Sequence, residues 1–136
     1  MILVDTNVWS EASKPNGRAE VLHWLEENRH DLWLSAVVIA EIRAGIENPE
    51  ASEKREGLEW WLAKLERANA DRTLSFDRTA AYALGKLLVK KPQEAKMLDM
   101  LLAAQALSRE CPIATRNVRD FAWTGVRSID PWSDGK

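Results

Sequence analysis

Sulfur and imidazole are scarce in this chain, whose 136 residues include one cysteine and two histidines. Cys111 has no partner for an internal disulfide, and beside Pro112 and Ile113 it reads as a small buried hydrophobe rather than a nucleophile. His23 and His30 lack the further ligands that a zinc site needs. No run approaches the roughly 18 apolar residues of a membrane span, and Met1-Ile2-Leu3-Val4 is shorter than the apolar region of a signal peptide. A soluble, cytoplasmic protein with no membrane partner is expected. No Gly-x-x-x-x-Gly-Lys stretch occurs, which excludes a P-loop NTPase. Positive charge is not in excess either. The formal net charge of −2 excludes the basic footprint of a general nucleic-acid coat, but not a local basic rim around an acidic site. Without a linker-like stretch, repeat or low-complexity segment, residues 1–136 are expected to form one domain, burying about two-thirds of the unfolded surface.

What is present is an alternation of short apolar runs with amphipathic ones. Met1-Ile2-Leu3-Val4 leads straight into Asp5, and such a run reads as a buried central strand because neither face alternates with polar side chains. Lys14-Pro15-Asn16-Gly17 is turn chemistry, after which Val21, Leu22, Trp24 and Leu25 follow helical spacing. Leu32-Trp33-Leu34 predicts a second, parallel strand, with Ser35 as N-cap of a helix running to about Glu47. Asn48-Pro49 predicts the start of a charged helix through Glu59, Trp60, Trp61, Leu62 and Leu65. The two tryptophans are expected to fill a core or a dimer face, although aromatic rings can also stack bases. Thr73-Leu74-Ser75-Phe76 reads as an edge strand, and Asp77 as the cap of a helix ended by Lys90-Lys91-Pro92. A further helix from about Glu94 to Arg109 precedes two short strands, Pro112–Thr115 and Val126–Ile129, around a helical turn. Strands alternating with helices predict an α/β fold with a parallel sheet covered on both faces.

Three carboxylates are out of place in this pattern. Asp5 ends an apolar strand, Glu41 lies within Val37-Val38-Ile39-Ala40-Glu41-Ile42, and Asp99 within Met97-Leu98-Asp99-Met100-Leu101-Leu102. Each has an ordinary explanation singly: Asp5 as a cap, Glu41 as a half-exposed helix residue, Asp99 on a polar stripe with Lys96 and Gln105. Together they suggest buried acids, which need cations because an isolated carboxylate in a low-dielectric interior is heavily penalised. Arg43 or Arg116 can neutralise them in part, and a hard divalent ion with oxygen ligands would neutralise several at once. A strand's carboxyl end is also where ligands bind in open α/β sheets, which favours Asp5 as a chemical group. The cluster Thr115-Arg116-Asn117-Val118-Arg119-Asp120-Phe121 follows a strand in the same manner. There Asn117 can cap a helical turn, with Asp120 favouring its N-terminal dipole.

Four segments, Met1–Glu11, Leu34–Ile46, Asp99–Ala104 and Ala114–Phe121, together resemble PIN-domain ribonucleases of the VapC toxin type, in particular the FitB-like plasmid-stability branch. The resemblance runs from Met1 to Asp130-Pro131-Trp132. It implies a three-layer α/β/α sandwich with a central parallel sheet, a homodimer, and an endoribonuclease dependent on Mg²⁺ or Mn²⁺ and neutralised by a VapB-type antitoxin. It also implies metal-binding carboxylates at Asp5 and Asp99, with Glu41 as the third acid. Asn117 stands where many relatives carry aspartate, so the fourth carboxylate is either absent or replaced by Asp120.

The chemistry implied is metal-assisted hydrolysis of RNA to 5′-phosphate and 3′-hydroxyl ends, with Glu41 orienting or deprotonating the attacking water. Candidate phosphate contacts are Arg43, Arg116 and Arg119, then Lys96; the Lys90-Lys91 pair reads as solvated surface. The alternative is an antitoxin-binding module of a DNA-bound autoregulatory complex with little nuclease activity, kept open by Asn117. A phosphotransferase with an Asp-x-Asp start is disfavoured, because Asn7 stands where its second acid would be.

Overall fold

The computed structural model describes residues 1–133; the remaining residues of the domain expected over 1–136, 134–136, lie outside it. Five parallel strands make one sheet: β1 (Ile2–Val4), β2 (Leu32–Ser35), β3 (Thr73–Leu74), β4 (Ile113–Ala114) and β5 (Ser128–Ile129). Their order is β3-β2-β1-β4-β5, with Ile2 opposite Leu32 and Leu3 opposite Ile113. The chain first builds outward from β1 on one side, then returns to build on the other. The order therefore reverses between β1 and β4, where the connections diverge and leave a crevice at the strands' carboxyl ends. The strand residues Leu3, Val4, Leu34, Ile113 and Ala114 have no exposed surface, as a sheet covered on both faces requires.

The helices are α1 (Thr6–Glu11), α2 (Ala19–Glu27), α3 (Ala36–Glu47), α4 (Arg55–Ala68), α5 (Arg78–Lys90), α6 (Met97–Ser108) and α7 (Val118–Phe121). The predicted caps form at Ser35, which accepts from the Val37 amide at 2.9 Å, and at Asp77, which accepts from Ala80 at 3.0 Å. Strands β1, β3, β4 and β5 are shorter than predicted, and the helices depart from expectation in three places. Helix α1 is too short, at 6 residues, to show a periodicity, yet Asp5 starts it directly after the strand. The helix expected from Pro49 divides into a 3₁₀ turn, Pro49–Ala51, capped by Asn48, and α4 beginning at Arg55. Helix α6 begins at Met97 rather than Glu94, because Lys96 is extended and a separate turn bonds Ala95 N–H to Pro92 O at 3.2 Å. That late start puts Asp99 in the first turn of α6.

The core expectation for the tryptophan pair holds for Trp61 alone. Trp61 packs half-buried against the core, whereas Trp60 is 63% exposed. Adjacent helical residues point about 100° apart, so Leu62 and Leu65 can face the core of α4 without Trp60. Gln105, a candidate member of a polar stripe, is instead fully buried. It accepts from the Ser35 hydroxyl and donates to the carbonyls of Leu74 and Ser75 at 3.2 and 3.1 Å, tying α6 to β2 and to the edge strand β3. Gln105→Leu strands these buried acceptors, and urea unfolding should show a loss of about 1–3 kcal/mol.

Candidate functional site

Asp5 is where the crevice begins. Its amide continues the β1–β4 ladder by donating to Ala114 O at 2.9 Å, so the side chain emerges where the sheet order reverses. One carboxylate oxygen, Oδ1, accepts the Thr6 amide at 2.8 Å as a helix cap. The other, Oδ2, accepts the Thr115 hydroxyl at 2.8 Å and the Asn7 amide group at 3.3 Å. Capping and exposure to a site are thus properties of one residue, and the two readings of Asp5 do not compete. Burial raises the Asp5 pKa, and the bonds from Thr115 and Thr6 offset part of that rise. The Thr115 hydroxyl also accepts the Asn117 amide at 3.0 Å, which fixes the loop after β4 against Asp5.

The other acids are less buried than their apolar neighbours suggest. Helix α3 buries Val37, Val38, Ile42 and Ile46 and leaves Ala40, Glu41, Ala44 and Gly45 exposed. Glu41 therefore stands on an open rim, where its Oε1 accepts the Thr6 hydroxyl at 2.6 Å. Asp99 is half-buried, with Met97 and Leu98 exposed beside it. Its pKa is raised to about 6, first by burial and then by the charges of Asp5 and Asp120, with Glu41 adding to them. The positive end of the α6 dipole favours its ionised form, but burial and like charge outweigh it.

These groups share a cleft of about 780 Å³ lined by Asp5, Glu41, Asp99, Asn117 and Asp120. Asn117 occupies the N-cap position of α7, yet its side chain makes no cap bond, contrary to expectation; the Thr115 hydroxyl takes its backbone amide instead. Arg116 lines the same cleft, held by an amide bond to Asn7 Oδ1 at 3.2 Å and by its guanidinium lying 5.0 Å from the Trp132 ring centroid. Arg119 and Lys96 line an adjoining cavity of about 390 Å³, which also touches Asp99 and Asp120. Arg43 is not brought to the cleft: it pairs with Glu47 and, at 3.4 Å, with Glu59. Lys90 and Lys91 line neither cavity.

Glu11 and Lys14 also line the cleft, and sequence reasoning assigned them no role. Glu11 is buried and accepts the Arg18 amide at 2.8 Å and the Lys14 ammonium at 3.1 Å. The Arg18 bond is the main reason its pKa is lowered. Between them lies Gly17, where a Cβ would stand 2.4 Å from the Glu11 carbonyl oxygen, so only glycine fits without displacement. The available signal was Glu11 closing the first motif, but its partners come from a loop whose path the sequence does not reveal.

Among the described residues no three acidic, cysteine or histidine side chains form a ready-made metal cage. The donor set fits a hard ion that takes one or two carboxylates and keeps several waters, as Mg²⁺ does. The Asp99 pKa is raised first by burial and then by the charges of Asp5 and Asp120, and a cation beside it would offset both. No described helix is long and apolar enough to cross a membrane.

Residues 2–124 match the model of the PIN-domain family. The plasmid stability protein StbB of Pseudomonas syringae pv. tomato is 36% identical, with 97% of this chain and 99% of that protein covered. The VapC ribonuclease Y4jK of Sinorhizobium fredii is 32% identical, with 97% and 98% covered. Among solved structures, FitAcB from Neisseria gonorrhoeae superposes with a TM-score of 0.86 at 30% identity, covering 98% of this chain and 99% of that one. FitAB bound to a DNA fragment gives 0.79 at 29% identity, covering 97% and 96%.

The Asp99 carboxyl should titrate near pH 6 by carbon-detected NMR without divalent ions. Because its folded-state pKa is raised, ionisation opposes folding above that value, and the penalty is absent below the unfolded value of 3.8. Asp99→Asn should therefore stabilise the metal-free protein at pH 7.5 by about 1 kcal/mol after solvent screening. That gain should fade as pH falls from about 6 to 3.8.

Proposed function

The chain belongs to the PIN-domain family, and from that premise we propose that it is the ribonuclease toxin of a VapBC-type toxin–antitoxin pair, hydrolysing RNA with the help of a divalent cation. What carries this reading is the convergence of Asp5, Glu41, Asp99 and Asp120 on one open cleft at the reversal of the sheet. The relatives named as a VapC ribonuclease and a plasmid stability protein support it.

Asp5 and Asp99 would hold Mg²⁺ or Mn²⁺. Bound there, the cation would polarise the scissile phosphate and lower the pKa of a water. Glu41, accessible at the rim and held by Thr6, is suited to orient the attacking water and take its proton. Attack in line breaks the P–O3′ bond; the 3′ oxygen leaves and is protonated, and the phosphate stays on the 5′ side of the next nucleotide. Asp120 supplies the fourth carboxylate that Asn117 does not, and Asn117 is left to orient phosphate or water. Arg116, steadied on Trp132, and Arg119 beside it are the phosphate contacts. Arg43 has no part in this path, since its pairs with Glu47 and with Glu59 of α4 hold it away from the cleft. Thr115 and Asn7 preset the Asp5 carboxylate before any ligand arrives.

The same electrostatics describe the partner. A VapB-type antitoxin would insert an arginine or lysine among Asp5, Glu41 and Asp99, replacing the cation and closing the cleft to RNA. A second copy of the chain would pack on α5, where Tyr82 and Val89, seven positions apart on one helical face, are 73% and 89% exposed. The antitoxin-binding module without nuclease activity is the competing reading, and Asp120 in the cleft weighs against it.

Total tRNA and ribosomal RNA incubated with antitoxin-free protein should give discrete fragments with Mg²⁺ or Mn²⁺ and none with EDTA. Glu41→Gln should slow cleavage by about 10²–10⁴-fold, the range for loss of a general base. Thr115→Val should cost about 10–100-fold, as for removal of a group that orients a ligand. Unchanged cleavage by Asp5→Asn and Asp99→Asn proteins would indicate a contaminating nuclease and sink the assignment. A Tyr82→Glu, Val89→Glu protein should sediment as a monomer where the parent sediments as a dimer.

A further inference from the structure

We propose that the groove between the Ala12–Pro15 loop and α4 is a nucleotide-binding extension of the cleft, in which Trp60 stacks a base of the single-stranded RNA and Lys54 and Lys64 hold its phosphates. The inference rests on the ribonuclease reading. Its starting point is Trp60, the adjacent tryptophan that helix geometry leaves 63% exposed. The Lys64 ammonium lies 5.0 Å from its ring centroid, one helical turn along α4. The groove has a volume of about 600 Å³ and is walled by Pro15, Leu58 and Trp61. Its charged lining is Lys54 and Lys64 against the single acid Glu53, together with Lys14, which is paired with Glu11 at 3.1 Å. Lys14 lines this groove and the carboxylate cleft alike, so the two adjoin at that side chain.

Charge decides which way a polyanion leaves the acids. The cavity on the other side of Asp99 presents Glu94, Asp99 and Asp120 against Lys96 and Arg119, a net negative lining. The groove toward Trp60 presents the opposite balance, with an exposed indole among its cations. Aromatic faces flanked by lysines bind single strands with little regard to sequence, because every base offers a π-face and every nucleotide a phosphate. Trp60 and Lys64 thus act as substrate-binding residues remote from the bond that breaks. They should set affinity rather than the rate of the chemical step.

The test compares the full-length protein with Trp60→Leu and Lys64→Glu, both surface changes whose folding is checked by circular dichroism. Two readouts are taken: KM and kcat on an RNA that the parent cuts, and anisotropy of a 5′-fluorescein random-sequence RNA 20-mer in EDTA, where no cleavage occurs. The expected result is a KM and a dissociation constant each raised roughly ten-fold by Trp60→Leu, with kcat within two-fold. Lys64→Glu should also flatten the dependence of log affinity on log salt by about one ion. Parent-like KM and RNA affinity in both variants would overturn the subsite while leaving the ribonuclease intact. If antitoxin binding falls in those same variants, the groove belongs to the protein partner. A parent protein that neither cuts nor binds RNA would remove both the subsite and the ribonuclease reading.

Discussion

The hydrogen bond from the Thr115 hydroxyl to the buried carboxylate of Asp5 joins the two halves of this molecule. Asp5 follows β1 and Thr115 follows β4, neighbours in space separated by 110 residues of chain. The bond satisfies an acid that burial would otherwise drive toward protonation, and it locks the loop carrying Arg116, Asn117 and Asp120. Asn7 makes a second tie, donating to Asp5 and accepting from the Arg116 amide. A carboxylate pinned from three directions loses little further freedom when it takes up a ligand, which is the structural meaning of a preorganised site.

Around that fixed acid the remaining charges are graded by exposure. Asp99 is half-buried and its pKa is raised; Glu41 stands at the rim on a single hydroxyl contact. Such a gradient separates a deep part of the cleft, where a cation would replace lost hydration, from an outer part open to proton exchange with water. The cations are peripheral by comparison. Arg116 is steadied on Trp132, and Lys14 is held beside Glu11 at the edge of the cleft. On the proposed function, RNA and an antitoxin would compete for the same imbalance of charge, which would link catalysis and inhibition without a conformational switch.

The strands, the caps at Ser35 and Asp77 and the acids Asp5, Glu41 and Asp99 were legible in the sequence, because apolar runs, cap chemistry and short motifs are local. The burial of Glu41 was misjudged for an equally definite reason: apolar neighbours on a helix define its buried stripe, not the orientation of the residue between them. Met97 and Leu98, exposed beside Asp99, made the same pattern ambiguous. Trp60 and Trp61 were read as a pair, although their helical positions send them in different directions.

By itself the sequence determined the parallel α/β alternation and the identity of the acids, since both follow from residue type and spacing along the chain. Only the tertiary structure decided which groups meet. It brought Thr115 to Asp5 and Asp120 into the cleft that Asn117 also lines, but left Arg43 outside that cleft with Glu47 and Glu59. It also turned Gln105 inward to hold the edge of the sheet. These pairings span tens of residues, and they depend on strand order and helix rotation, which are set by packing of the whole core rather than by local preference.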